Sequence, residues 1–271
     1  MKSLSSYAYI NAKLRAMLSK GSYPDFWDKL INTVNPMETL NALKGTSYKT
    51  SITSINTYSD IELVEEKLSA GLLGDYNKIA GSLADFAREI ILNIFDGKLL
   101  YNSNHLKISI LLKKLSDGDR SIVQRLLGII YDVNNILIAV RMRFYGQLSA
   151  RNTLGDFIEG GFFVSKRLMA QALDSDSIGQ MLGVLAVGPY KMLDVYREKS
   201  FDISELASME LALRKVIIEQ AYRILRGFPF TLGMVASYFI VRMAQIQGIC
   251  AVLYAKHYSL DRDAIEGQIL C

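Results

Sequence analysis

Few side chains in this 271-residue sequence are of the types that do chemistry, and their spacing does not assemble a reaction centre. His105 and His257 stand far apart, without a neighbouring His, Cys or carboxylate pair, so each reads as a surface or helix-end residue rather than a metal ligand. There is no G-x-x-x-x-G-K-[ST] or G-x-G-x-x-G loop to cradle a phosphate, no G-x-S-x-G nucleophile turn, and no DDxxD-type acidic cluster. Asp174 and Asp176, in DSDS, read as a helix boundary, and Glu159-Gly160-Gly161 as a bend. The expectation is a non-catalytic protein with no cofactor, metal or small-molecule substrate.

The unusual residues are polar ones inside apolar helical runs: Asn11, Arg15, Asn134, Asn135, Arg141 and Arg143. The stretch NNILIAVRMRFYG (134–146) shows the pattern. Such an Asn can bond a neighbouring helix end and such an Arg can lay its stem along apolar surface. The same residues could instead line a shared cavity or face a partner.

The elements that must position them are helices. Leu83, Phe86, Ala87, Ile90, Ile91 and Ile94 recur at helical spacing. So do Ile122, Leu126, Ile129, Ile130, Val133, Ile136, Leu137 and Val140, and the series from Leu206 through Met209, Leu213, Val216, Ile217, Ala221 and Ile224 to Leu225. No stretch alternates with period two. Asn35-Pro36-Met37-Glu38 offers a cap, a first-turn Pro and a Glu at the third position. Ser59-Asp60-Ile61-Glu62 and Asp202-Ile203-Ser204-Glu205 are further starts, and Gly97 and Gly227 are stops. Gly179-x-x-x-Gly183 allows two helices to approach closely. With only four prolines, the sequence predicts an all-α protein of about ten helices joined by short loops.

The net charge of +4 is mild and its Lys and Arg are scattered, which argues against nucleic acid as a partner. Cys250 and Cys271 alone make no disulfide scaffold and fit a reducing compartment. The N-terminal residues are too polar for a secretory h-region, so a cytoplasmic protein is expected. Residues 228–241 and 243–255 are uncharged, but Arg242 and Gln245 interrupt the run at its centre, where a bilayer would penalise them. A buried core helix is the better reading.

The chain also repeats itself. YAYINAKLRAM (7–17) precedes LNALKGTSYK (40–49), and NNILIAVRMRFYG (134–146) precedes LGVLAVGPYK (182–191). The second elements share Leu40/Leu182, Leu43/Leu185, Tyr48/Tyr190 and Lys49/Lys191. A third copy begins at YFIVRMAQIQGICAVLYAKHY (238–258), and Asn11, Asn134 and Gln247 sit 123 and 113 residues apart. This recurrence suggests three similar helical modules: 1–125, 126–230, and a shorter 231–271 completed by the N-terminal helix.

Taken in order, these elements resemble the C subunits of the bacterial and archaeal V/A-type ATPases, whose eukaryotic counterparts are the d subunits of the vacuolar ATPase. Tyr7, Tyr9, Asn11, Ala12, Arg15, Ala16 and Met17 match the family's first motif, with Lys13 in place of an Arg. Leu43, Gly45, Thr46 and Tyr48 match the second, and Asp132, Asn135 and Arg141 the third. In the last element, where the family has Glu-x-x-Asn-x-Arg, this sequence has Gln245, Gly248 and Cys250.

The resemblance implies a funnel of three helical modules around a pseudo-threefold axis. It implies a peripheral protein on the cytoplasmic face of the membrane, between the central-stalk subunits and the proteolipid rotor ring, passing torque without binding nucleotide. In isolation it would be a soluble monomer. Tyr7, Asn11, Arg15, Gly45, Thr46, Tyr48, Asp132, Asn135, Arg141, Tyr190 and Gln245 would then be motif residues engaged in packing. The alternative from helical periodicity alone is a helical-repeat adaptor holding a protein in its concave face.

Overall fold

The computed structural model describes residues 4–19, 25–55, 61–95, 105–146, 157–199 and 201–269, and among these there is no strand. The helices are α1 (Leu4–Ser19), α2 (Phe26–Ile31), α3 (Pro36–Leu43), α4 (Lys49–Ile52), α5 (Ile61–Ala80), α6 (Asp85–Phe95) and α7 (His105–Leu112). They continue with α8 (Asp117–Phe144), α9 (Lys166–Leu173), α10 (Ile178–Leu185), a 3-10 segment (Gly188–Tyr196), α11 (Ile203–Arg226), α12 (Leu232–His257) and α13 (Arg262–Gln268). Short helices such as α2, α4 and α13 take the number past ten; four to seven residues hold too few turns for periodicity to register.

The starts follow the capping chemistry of the sequence. Asn35 accepts from the Glu38 amide at 3.0 Å, and the Glu38 carboxylate reaches back to the Val34 amide at 2.9 Å. Asp202 accepts from the Glu205 amide at 2.9 Å ahead of α11, and the chain turns at Gly227 just past its end. In the DSDS stretch Asp174 closes α9 while Ser177 caps α10. The expected start at Ser59-Asp60, the stop at Gly97, and Cys271 lie outside the described residues.

The chain divides into two compact units, Met1–Ile91 with Ile224–Cys271, and Leu92–Arg223. In the first, α12 is the central element, with α1, α2, α3, α5 and α13 against it. Its side chains are apolar on nearly every face, which suits a helix covered all round. Its ends are tied by polar contacts: Thr231 caps the start, and Lys256 donates to the carbonyl of Ile31 at 2.6 Å. In the second unit α8 plays the central part. Ser116 caps it, Asp117 and Asp119 lie in its first turn, and Arg141 and Arg143 in its last, each charge set facing the favourable dipole end. Ile129, Val133, Ile136 and Val140 of α8 form one core with Leu182 and Leu185 of α10, Leu193 of the 3-10 segment, and Met209 and Leu213 of α11.

By length and composition α8 and α12 could each cross a membrane, but 72% and 83% of their apolar stretches are covered by the folded chain. That is the situation of core helices.

Part of the spacing recurs between the two units. From α3 to α10 and from α5 to α11 the starts are separated by the same 142 residues (Pro36 to Ile178, Ile61 to Ile203). Leu40, Leu43, Leu182 and Leu185 are all fully buried, as is Tyr190 and very nearly Tyr48. The Gly179–Gly183 pair does allow a close approach, but to the end of the 3-10 segment: a Cβ on Gly179 would lie 2.3 Å from the Arg197 carbonyl oxygen.

This contact yields a paired test. Gly179→Ala forces the backbone at Arg197 to move and should lower the thermal midpoint, at a cost of about 1–3 kcal/mol. Gly74→Ala, inside α5 with nothing within 4 Å of the added methyl, should raise it, through a gain of about 0.5–1 kcal/mol in helix propensity. Calorimetry that found both variants shifted in the same direction would contradict the packing described at Gly179.

Candidate functional site

The polar centre of the second unit is Asp132, fully buried in the middle of α8. Its carboxylate accepts from three successive backbone amides, Phe162 at 3.2 Å, Phe163 at 2.7 Å and Val164 at 3.1 Å. The Tyr190 hydroxyl donates a fourth hydrogen bond at 3.2 Å. One turn along α8, Asn135 clasps Ile158 at two points, accepting from its amide at 2.9 Å and donating to its carbonyl at 2.8 Å. The Asp-x-x-Asn spacing puts both side chains on one helix face, so α8 grips segment 157–164 twice. The Glu159-Gly160-Gly161 stretch is the bend that wraps the carboxylate. A Cβ on Gly161 would lie 2.2 Å from Asp132 Oδ1, so the close approach requires glycine.

Burial pushes the Asp132 carboxyl up to about 6, against the lowering influence of the three amides and the Tyr190 hydroxyl. Tyr190 is held far above its ordinary value by burial and by the adjacent carboxylate. Among the described residues no Lys or Arg forms an ion pair with Asp132. Four directed dipoles stand in for the counter-charge.

The first unit builds a related clasp with different chemistry. The Tyr48 hydroxyl donates to Gln245 Oε1 at 3.0 Å, and Arg242 Nη1 donates to the same oxygen at 3.0 Å. The Arg242 guanidinium lies 4.4 Å from the centre of the Tyr48 ring. All three side chains are buried, and Arg242 Nε finds no hydrogen-bond partner. Tyr48 is set in place by a turn in which Thr46 donates to the Leu43 carbonyl at 2.7 Å and accepts from the Tyr48 amide at 3.2 Å, beside the exposed Gly45.

Gln245 therefore meets Tyr48 as Asp132 meets Tyr190, and Gly248 stands at the place of Asn135, both pairs 113 residues apart. A Cβ on Gly248 would lie 2.6 Å from the Trp27 ring. A ring packed flush on α12 occupies the space that a clasping amide uses on α8. Cys250, one turn from Ile246, is buried, and burial pushes its thiol up to about 12.

The remaining motif residues are nearer the surface. Tyr7 and Asn11 are half-buried in α1, and Arg15 is exposed, its Nε donating to Asn11 Oδ1 at 3.0 Å. Arg141, also exposed, pairs with Glu210 across to α11, and Arg214 bonds the same carboxylate. Burial would raise the Glu210 carboxyl, but the two guanidinium groups outweigh it and hold it below its usual value. Asn134 is buried with its Nδ2 lacking a hydrogen-bond partner.

Sequence reasoning brought out both tyrosines, Asp132, Asn135 and Gln245, but missed three parts of the clasps. Arg242 registered only as an interruption in an apolar run, Trp27 not at all, and the amides of 162–164 have no side-chain signature. A glycine pair following an Asp-bearing helix was the available signal for the last.

Among the described residues, the second unit encloses hollows of two sizes. One of about 170 Å³ sits beneath segment 157–165, beside Asn135 and Met169; one of about 460 Å³ lies between α7 and α8. Among the described residues no three His, Cys, Asp or Glu side chains come together as a metal site. The arrangement holds backbone in place.

Residues 82–268, more than two thirds of the chain, match the family model described as ATP synthase (C/AC39) subunit. No curated protein matches the chain.

The clasps make two predictions. Asp132→Asn leaves a buried backbone amide facing an NH₂ group and should cost about 1–3 kcal/mol. Because the Asp132 carboxyl titrates above its unfolded value, the folded state binds the extra proton, and stability from this group grows as pH falls through about 6. The deficit of Asp132→Asn relative to the parent, read by urea unfolding, should therefore be larger at pH 5 than at pH 7.5; a smaller deficit at pH 5 would mean that the amide donors outweigh burial. Tyr190→Phe, which removes a bond to a charged acceptor, should cost more than Tyr48→Phe, whose acceptor keeps Arg242. Equal losses would contradict the charge difference between the clasps.

Proposed function

Because the chain belongs to the ATP synthase (C/AC39) subunit family and is thereby a V/A-type ATPase subunit, we propose that it is the non-catalytic rotor spacer of that machine. In this role it links the central-stalk subunits to the proteolipid rotor ring at the cytoplasmic face of the membrane and passes torque between them. The family match carries the reading and disfavours an unrelated adaptor. The funnel of three modules, 1–125, 126–230 and 231–271 completed by α1, belongs to the same proposal. The recurrent spacing of α3–α5 and α10–α11, the paired tyrosine clasps, and the packing of α1 on α12 support it.

A spacer needs contact surfaces that do not draw on its core. The central helices have spent their apolar faces inside, whereas the five most exposed large apolar side chains among the described residues are Val34, Ile203, Tyr258, Phe228 and Tyr145. All five stand at or beside helix ends. Contacts made by helix ends and short loops are modest in apolar area and partly electrostatic, so they weaken with salt. Arg15 and Arg141, assigned to packing by their motif, are accessible enough for this assignment to be tested directly.

The experiment is co-expression with the ring and central-stalk subunits. The chain should be retained by both, released from the stalk complex as salt rises, and show no saturable ATP binding by calorimetry. Retention by neither partner, or saturable nucleotide binding, would defeat the spacer role. Arg141→Glu should lower thermal stability more than stalk affinity; the reverse outcome would make Arg141 a partner-facing residue.

A further inference from the structure

Tyr190 stands between two acceptors. Its hydroxyl lies 3.2 Å from Asp132 Oδ2 and 3.4 Å from the Ile129 carbonyl oxygen, one turn back along α8. A phenol has a single hydrogen to give, so the stronger acceptor takes it. With Asp132 ionised that acceptor is Oδ2. With a proton on Oδ2 the donation reverses: the carboxyl O–H donates to the Tyr190 oxygen, and the phenol hydrogen turns to the Ile129 carbonyl. Both arrangements keep every buried O–H hydrogen paired, and only two hydrogens change place.

The two carboxylate oxygens are loaded unequally. Oδ1 accepts from the Val164 amide, whereas Oδ2 accepts from both Phe162 and Phe163 as well as Tyr190. Phe162 has a second, longer acceptor in the Gly128 carbonyl at 3.4 Å. Among the described residues the Phe163 amide has no second acceptor. The Asn135–Ile158 clasp is neutral and indifferent to protons. Residues 159–163 therefore hang between one fixed point at Ile158 and another at Val164, with Gly160 in the left-handed region at φ 100°.

The charges on the surrounding elements are engaged elsewhere or exposed. Tyr131, beside Asp132 on α8, is buried, its hydroxyl pushed up to about 12. Helix α10 carries no ionisable side chain. Glu159 and Lys166, at the bend and the start of α9, are exposed and pair with each other at 3.5 Å. Arg167 and Lys191 are exposed, and Asp194 is held by Arg197. On α11, Glu205 pairs with Lys199, and Glu210 with Arg141 and Arg214. Burial thus dominates at Asp132 and pushes its carboxyl up to about 6.

We propose that Asp132 and Tyr190 form a proton switch: a proton taken up at Oδ2 moves the phenol hydrogen to the Ile129 carbonyl, weakens the hold on the Phe162 and Phe163 amides, and loosens the bend 159–163. That bend carries Phe162, 50% exposed and 5.3 Å from the Arg125 guanidinium, so the surface it presents changes with acidity. The device goes beyond the spacer role and does not depend on it.

The test is NMR of the labelled full-length chain between about pH 7.5 and about pH 5. Corrected for intrinsic exchange, protection of the Phe163 amide should fall about tenfold over this range as its acceptor loses charge, while that of Ile158 changes less than about twofold. The Ile129 carbonyl shift should move with the same midpoint. That movement should vanish in Tyr190→Phe although Asp132 still titrates. Asp132→Asn fixes the neutral state, so Phe163 protection should be low and flat across the range; if this variant folds poorly, the Phe163 and Ile129 responses of the parent decide. Glu159→Gln, which removes the exposed carboxylate of the same bend, should leave both transitions in place. The proposal is overturned by Phe163 protection that does not change with pH, by an Ile129 carbonyl that does not follow it, or by transitions that disappear in Glu159→Gln.

Discussion

A carboxylate buried in the middle of an apolar helix has to be compensated, and around Asp132 the compensation comes from backbone. Three consecutive amides and one phenol converge on it. Each is a directed dipole, so the carboxylate specifies where segment 157–164 and the 3-10 segment must lie as well as stabilising them. Glycine at 161 follows from the same geometry, since no other residue leaves room for Oδ1. Asn135 then fixes the segment at a second point, and the buried leucines of α10 close the core behind it. Few side chains thus define the path of an irregular segment that has no regular hydrogen bonds of its own.

The first unit solves the same packing problem with a neutral acceptor. Replacing a carboxylate by Gln245 removes one charge, and Arg242 enters to share the amide oxygen and cover the Tyr48 ring. Replacing an Asn by Gly248 admits Trp27. The differences from the second unit at 245 and 248 are therefore matched by neighbours that fill the space and satisfy the oxygen. In the proposed role of a torque-passing link, two such anchored cores serve better than a mobile one, because close-packed interiors have low compressibility.

How much of this was legible in sequence depends on the kind of interaction. The helices, their caps at Asn35 and Asp202, and the core nature of α12 follow from local spacing and were readable. So was the correspondence of Tyr48 and Tyr190, each a buried hydroxyl donor to a side chain of its own unit's central helix. What could not be read was long-range: Tyr48 meets Gln245 from 197 residues away, and the partners of Asp132 are main-chain amides common to every residue. The approach at Gly179 was legible as a small-residue pair, but its partner is a carbonyl at the end of a 3-10 segment and not a second helix.

The central claim, that an anchored helical core serves as a passive link in a rotary machine, is tested most directly by a density map of the assembled ATPase containing this chain. The account predicts the chain on the rotor axis, helix ends and loops touching the ring on one side and the central stalk on the other, with Asp132 still bonded to the amides of 162–164. A map placing the chain on the stationary outer parts of the complex, with no contact to the ring, would contradict it.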